Sequence, residues 1–307
     1  MEKIKIICVV GATASGKTAL AVELAKALDG EIISADSMQI YKGMPIATAV
    51  ATEREKQGIP HYLTEELDVS EEFSVAEFVS RAKPLIEDIV SRSKIPIIAG
   101  GTGLFIDSLV KNIAFSDVKA DEKVRERLEQ KDTDELYEML LSVDEKAAAD
   151  IHRNNRKRVI RALELYYSGI SKTEQNQNSL LEESPYDALY IGVGYDNREK
   201  LYERINRRVD IMAQNGLENE ARENLSLTGK TARQAIGHKE LKPYFDGEIT
   251  LEEAVDNLKK ETRHYAKRQL TWFRRNKSIF WFYADKMNYK DLIKEAVKLS
   301  ENFIDRR

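Results

Sequence analysis

Residues 5–18, KIICVVGATASGKT, decide the fold of this chain. Ile6 to Val10 form an apolar run that ends in two valines, and it reads as a strand buried on both faces in a parallel sheet. Gly11-Ala12-Thr13-Ala14-Ser15-Gly16-Lys17-Thr18 then matches G-x-x-x-x-G-K-[ST] in full. Leu20, Leu24 and Leu28 follow at the four-residue spacing of a helix. The loop therefore lies between a strand and a helix N-terminus, where it can work. Its glycines let the main chain curl, its N–H groups converge on an anion, and the helix dipole adds to them. Lys17 brings a full positive charge, and the Thr18 hydroxyl can reach a Mg²⁺ beside a bound phosphate.

The next segments read against this phosphate site. Asp29-Gly30 marks a turn, and Glu31 to Ala35 read as a second strand that ends at Asp36-Ser37-Met38-Gln39. Open α/β sheets bind ligands at this carboxyl edge, so Asp36 is a candidate base or metal ligand, although aspartate also caps turns. Residues 40–72 read as loops, with an extended stretch or turn at Ile59-Pro60-His61-Tyr62. His61 has acid–base and ligand chemistry, but a lone histidine is more often structural. Residues 74–90 read as a helix that Pro84 should bend or break. Ile95 to Ala99 form a third strand, followed by Gly100-Gly101-Thr102-Gly103, a second glycine loop and a natural second wall for the site. A motor ATPase usually has an acid there to organise Mg²⁺ and water, so glycine and threonine argue against a hydrolysis-driven machine.

Composition bounds the rest. The 307 residues are 42% apolar and 33% charged, as in a globular protein with ample core. A net charge of −4 means that any nucleic-acid partner must be held by a local basic patch. Cys8 is the only cysteine, so there is no internal disulfide or multi-cysteine metal site. No apolar stretch approaches the ~20 residues needed to cross a bilayer. The chain starts directly on its first strand, so no signal peptide and a cytoplasmic location are expected.

From Asp117 the texture turns charged and helical. Residues 121–130, 133–141 and 154–167 read as helices of a module inserted into the α/β domain. The last carries Arg153, Arg156, Lys157, Arg158 and Arg161, five cations in nine residues with no acid among them. That suggests a polyanion contact, against the plainer reading of a solvated face. Residues 188–193 look like a strand returning to the sheet, and 201–214 like a helix. GKTARQAIGHKE at 229–240 breaks the pattern, and its Lys230-Thr231 lacks the frame of a second phosphate loop. Residues 251–274 read as one long helix. Positions 259–277 carry net +7 in nineteen residues, with Tyr265, Trp272 and Phe273 interleaved either as base-stacking groups or as core anchors.

Taken together, these stretches resemble the tRNA dimethylallyltransferase (IPP transferase) family. The matching motifs are GATASGKT (11–18), DSMQIYKG (36–43), Pro60-His61-Tyr62-Leu63, FSVAEF (73–78), PIIAGGTGLFI (96–106), NRKRVIRALELY (155–166), LYERINRRVDIM (201–212), TARQAIGHKEL (231–241) and TRHYAKRQLTWFR (262–274). The resemblance implies a P-loop NTPase-like parallel sheet flanked by helices, with an inserted all-helical domain. The implied division is 1–117 and 185–307 for the core and 118–184 for an insert that grips the tRNA anticodon arm. It further implies a monomer whose loop 11–18 cradles the diphosphate of dimethylallyl diphosphate. Asp36 would be the general base, Lys17, Thr18 and Thr102 would share the catalytic site, and Thr18 would lie on the Mg²⁺ side. Implied tRNA contacts are Asp36, Ser37, Met38, Gln39 and Thr102, with Arg125, Arg156, Arg161, Arg233, Arg263, Arg268 and Arg274 as candidate cations. Gln39 is a candidate reader of a flipped adenine edge, with an ordinary turn glutamine as the alternative. Four positions depart from the family pattern: Ala12 and Arg153 replace prolines, and Val50-Ala51 replaces Lys-Pro. A small-substrate kinase and a non-catalytic RNA-binding module are the rivals; the basic stretches disfavour the first and the intact phosphate loop the second.

Overall fold

The first apolar run becomes the centre of a six-stranded sheet. The structure, a computed structural model, describes residues 3–115, 121–178, 183–225, 229 and 231–306. The expected boundary at 117–118 and Lys230 lie outside the described residues. Backbone contacts divide the chain into one unit made of Met1–Val110 and Pro185–Arg307 and another made of Lys111–Ser184.

The larger unit begins with β1 (Ile4–Gly11), α1 (Lys17–Leu28) and β2 (Gly30–Ser34). Two single-turn helices, α2 (Pro45–Thr48) and α3 (Glu53–Lys56), and the short β3 (His61–Tyr62) lead to α4 (Val75–Ser91), β4 (Ile95–Gly100) and α5 (Gly103–Val110). In the smaller unit α6 (Glu122–Glu129), α7 (Thr133–Val143), α8 (Glu145–Asp150), α9 (Arg156–Tyr167) and α10 (Lys172–Asn178) follow. The chain then returns through β5 (Tyr186–Gly194), α11 (Arg198–Gln214), α12 (Leu217–Asn224), α13 (His238–Phe245), α14 (Leu251–Phe273), β6 (Ile279–Tyr283) and α15 (Tyr289–Ile304).

All strand pairs are parallel, in the order β3-β2-β4-β1-β5-β6. β1 lies between β4 and β5, and Ile6 to Val10 are fully buried, as their unbroken apolar run requires. Helices α1 and α15 cover one apolar cluster of the sheet through Leu20, Leu24, Leu292 and Phe303. Cys8 is buried in β1, and burial pushes its thiol pKa up, so it behaves as a small hydrophobe. The smaller unit has its own core of Leu128, Leu136, Leu140, Val159 and Leu163.

Pro84 does not break α4, which runs through it. The proline lies on the exposed face, where water can solvate the carbonyl it leaves unpaired, while Val79, Ala82 and Ile86 anchor the opposite face. Among the described residues, no helix is long and apolar enough to cross a membrane.

Candidate active site

Three strand ends form the floor of the site. β1 passes into the loop at Gly11, where a Cβ would overlap the Val193 carbonyl and crowd the Ser15 hydroxyl. Gly16 adopts a left-handed conformation with φ 100° and caps α1 with no side chain in the way. Here the two glycines of the motif do the work expected of them. The Ser15 hydroxyl is buried with no hydrogen-bond partner, a polar atom left over at the loop. Burial and the neighbouring Arg208 push the Lys17 pKa down to about 8, against the pull of Asp36.

The ends of β2 and β4 are stitched together beside this loop. Ala35 N–H donates to the Ala99 carbonyl at 2.9 Å, and Thr102 N–H donates to the Ala35 carbonyl at 3.1 Å. A Cβ at Gly100 would overlap the Ala35 main chain, so only glycine allows this approach. The Thr102 hydroxyl accepts from Ser37 N–H at 3.2 Å. Asp36 Oδ1 accepts from Met38 N–H at 3.0 Å, so the aspartate does close a turn. Its charge is also felt by Lys17, Arg208 and Tyr265. The Gln39 amide is engaged at both ends: Nε2 donates to the Thr48 and Ala49 carbonyls at 3.1 and 3.2 Å, and Oε1 accepts from Ser34 at 2.9 Å. To read a base edge it must first leave these partners. His61 Nδ1 contacts the Ile59 carbonyl at 2.9 Å, and burial lowers its pKa. With Thr18, Ser34, Gln39 and Thr64 it lines a cavity of about 20 Å³, room for one water.

Two helices from late in the chain complete the site, and three of the side chains they bring, Arg204, Arg208 and Gln269, were not singled out in the sequence. On α11, Leu201, Ile205 and Val209 are buried, which turns Arg204 and Arg208 toward the phosphate loop. Arg204 Nε donates to the Ala14 carbonyl at 3.0 Å and its guanidinium stacks on Tyr195. Burial lowers the Arg208 pKa, while Asp36 and Glu55 pull it back up. The i, i+4 arginine pair beside an apolar i, i+4 stripe was the available signal. On α14, Gln269 is 5% exposed. Its Oε1 accepts from Thr13 N–H at 2.8 Å and its Nε2 donates to the Gly101 carbonyl at 3.0 Å. One side chain thereby ties the phosphate loop to the second glycine loop. Tyr265, a turn earlier, lies beside Thr102 and Gln269, and burial followed by the charge of Asp36 raises its hydroxyl pKa. Trp272 donates to Asp107 at 2.9 Å and Phe273 is 3% exposed. These aromatics face inward as anchors rather than outward as a stacking platform.

The candidate RNA-binding cations divide sharply. In the smaller unit, Arg161 pairs with Glu164 at 3.0 Å, and Arg125 reaches Glu164 at 3.5 Å and Glu129 at 3.0 Å. Arg156 donates to the Glu129 carbonyl at 2.7 Å, and Arg153 pairs with Asp134 at 2.8 Å. Lys157 and Arg158 are exposed and make no ion pair with a described residue. On α14, Arg263 donates to Asn206 at 2.6 Å, Arg268 lies over the Tyr265 ring, and Arg274 is exposed at the helix end. Arg233 lies in the 3₁₀ turn Ala232–Gln234.

Comparison with known proteins gives one consistent answer. The IPP transferase family model matches residues 39–276. A tRNA dimethylallyltransferase from Caldanaerobacter subterraneus is 47% identical over 303 residues, covering 96% of each chain. The crystal structure of the full-length tRNA isopentenylpyrophosphate transferase from Bacillus halodurans matches with a TM-score of 0.74 at 43% identity, over 98% of this chain and 96% of that one. A eukaryotic dimethylallyltransferase, whose structures follow it acting on tRNA, matches with a TM-score of 0.86 at 32% identity, over 99% of this chain and 80% of that one.

Proposed function

As the chain belongs to the IPP transferase family of tRNA dimethylallyltransferases, we propose that it moves the dimethylallyl group of dimethylallyl diphosphate to N6 of the adenine 3′-adjacent to the anticodon, on a P-loop NTPase-like sheet. The observation that carries this reading is that Asp36, which closes a turn on Met38 N–H, and Thr102, which accepts from Ser37 N–H, lie at neighbouring strand ends beside loop 11–18, where the Asp36 charge acts on Lys17 and Arg208.

The chemistry needs two things. Adenine N6 is a weak nucleophile because its lone pair is delocalised into the ring, so a base must take its proton as the N6–C1 bond forms. The C1–O bond breaks at the same centre, and the leaving diphosphate needs its charge held. Asp36 takes the N6 proton. Lys17, Arg208 and the N–H groups of residues 11–18 bind the diphosphate and fix C1 opposite Asp36. Thr102 holds Ser37 N–H, and so sets the wall beside the base. Mg²⁺ takes one or two protein oxygens and relies on substrate phosphate and water, a demand that hydroxyls at the loop can meet. The orphaned Ser15 hydroxyl and Thr18 are the oxygens offered at the loop; Mg²⁺ bound there would supply positive charge to the leaving oxygens. The exposed cations Lys157, Arg158, Arg268 and Arg274 contact the anticodon arm, with the smaller unit as an RNA-gripping domain.

Incubating the chain with Mg²⁺ and unmodified tRNA, plus either labelled dimethylallyl diphosphate or labelled ATP, tests the reading. Label should pass from the prenyl diphosphate to tRNA. Phosphate transfer from ATP without prenyl transfer would sink it in favour of a kinase.

A further inference from the structure

We propose that Glu220 and His238, which lie in the motif-bearing region after α11 and touch no reacting group, are positioning residues that hold the segment carrying Asp36 in its working place. This rests on the function proposed above, in which Asp36 is the base. The segment from Asp36 to Val50 has little structure of its own, with one helical turn, α2, whose N-terminal residue Met44 offers no side-chain cap. The cap comes from far along the chain. Glu220 Oε2 accepts from Ile46 N–H at 2.7 Å and Oε1 accepts from Ala47 N–H at 2.9 Å, across sequence separations of 174 and 173 residues.

His238 closes the arrangement from the other side. It is 0% exposed, and its Nε2 lies 3.0 Å from Glu220 Oε1. A carboxylate oxygen only accepts, so Nε2 carries the hydrogen. Asn224, one turn after Glu220, donates to the Gly43 carbonyl at 2.6 Å. At Gly237 a Cβ would lie 3.1 Å from the Ala47 Cβ, so α13 starts almost against α2. The far end of α2 then holds the site: the Thr48 and Ala49 carbonyls accept from Gln39 Nε2, and Gln39 Oε1 accepts from Ser34, the last residue of β2. Asp36 lies between Ser34 and Gln39. The chain of contacts therefore runs from His238 through Glu220 and α2 to both flanks of the base.

A buried carboxylate is costly unless its lone pairs are satisfied, and here three donors converge on it. Removing it would leave two main-chain N–H groups and an imidazole N–H without acceptors. The consequence should fall on the geometry of Asp36 and spare the phosphate loop, which β1, α1 and Gln269 hold independently. Misplacing a catalytic group by about 1 Å costs on the order of 10²-fold in rate.

The test uses Glu220→Gln and His238→Leu in the full chain, assayed well below the melting temperature. The kcat for prenyl transfer should fall about 10- to 100-fold. The KM for prenyl diphosphate and the dissociation constant for inorganic pyrophosphate should not change, and amide exchange should quicken at 44–49 more than in α1. His238→Gln, whose amide donates from near the Nε2 position, should recover most of the kcat that His238→Leu loses. Unchanged kcat in both Glu220→Gln and His238→Leu overturns the proposal whatever their melting temperatures. So does a weakening of pyrophosphate binding as large as the loss of kcat, which would mark general disruption. Should Glu220→Gln not fold, Asn224→Ala removes the tie to Gly43 and the bond to the Glu220 carbonyl while leaving the Glu220 carboxylate in place, and should lose kcat a few-fold with pyrophosphate affinity intact. A wild-type chain that transfers no prenyl group overturns the proposed function and this inference together; loss-free variants of an active wild type overturn the inference alone.

Discussion

Helices α9 and α14 carry the two densest basic runs of the chain, and they dispose of that charge in opposite ways. In α9 two of the three arginines turn back on their own unit: Arg161 and the neighbouring Arg125 share Glu164, which is 2% exposed, and Arg156 ties down the end of α6 through the Glu129 carbonyl. In α14 the inner face carries Tyr265, Gln269, Trp272 and Phe273 into the site and core, while Lys267 and Arg268 stay on the outside. A cation run in a sequence therefore measures charge, not charge on offer. What α9 leaves exposed without an ion pair among the described residues is Lys157 and Arg158; Arg156 and Arg161 have partners within their own unit.

The largest effect should come from the site that α14 helps to wall. Asp36→Asn keeps size and the turn but removes the base, so kcat should fall roughly 10²–10⁴-fold. The salt dependence of tRNA binding should stay as in wild type. If added Mg²⁺ partly restores turnover, Asp36 holds metal-bound water instead, and its assignment as the base is wrong.

Next is the inner face of α14 itself. Gln269→Met keeps bulk but leaves Thr13 N–H and the Gly101 carbonyl without their partner. At about 1 kcal/mol for each of the two lost bonds, the KM for prenyl diphosphate should rise up to roughly 30-fold with tRNA affinity nearly unchanged. Equal weakening of both substrates would show that the two faces of α14 are not separable.

A pH effect of at most tenfold per unit follows from Lys17. Its pKa, held near 8 in the free protein, must rise when a diphosphate neutralises the neighbouring cations. The complex then binds the proton more tightly than the free protein. Affinity for pyrophosphate is accordingly full below about 8 and falls as pH climbs past it. Lys17→Arg should remove this part of the profile, since arginine does not titrate there. Profiles that coincide for wild type and variant break the assignment.

The smallest effects separate the helices directly. Arg268→Ala and Arg158→Ala should each lower the slope of log affinity for tRNA against log salt by about 0.7–0.9, with melting unchanged. Arg161→Ala should leave the slope alone and cost about 1 kcal/mol of stability, because Glu164 keeps Arg125 and the lost arginine is half-exposed. A reduced slope for Arg161→Ala would show that α9 offers more charge than its ion pairs suggest.

Local patterns carried a large share of the architecture. The apolar run 6–10, the glycine and lysine spacing of 11–18 and the four-residue leucine spacing of α1 each depend on neighbours in sequence, so they could be read without the fold. The same holds for placing Asp36 and Gly100–Thr102 at strand ends. The aromatic run of β6 and the helix α15 were not read. β6 shows no clean alternation: Ile279 is buried and Phe280 exposed, but Trp281 and Phe282 are both half-covered.

What only the tertiary structure decided is who meets whom across long separations. Gln269 reaches Thr13 over 256 residues, Arg204 reaches Ala14 over 190, and Glu220 reaches Ile46 over 174. A buried glutamine on a basic helix, or a glutamate ahead of a histidine, looks the same in sequence whether it faces water or a catalytic loop. Burial makes the difference: in a low-dielectric interior an unpaired polar group is costly, so each of these side chains must find its partner, and the partner is fixed by how the strands and helices stack. The chain's own sequence placed a glycine-framed lysine loop and an aspartate at neighbouring strand ends; the packing of α11 to α14 against them decided how that loop and that aspartate are held.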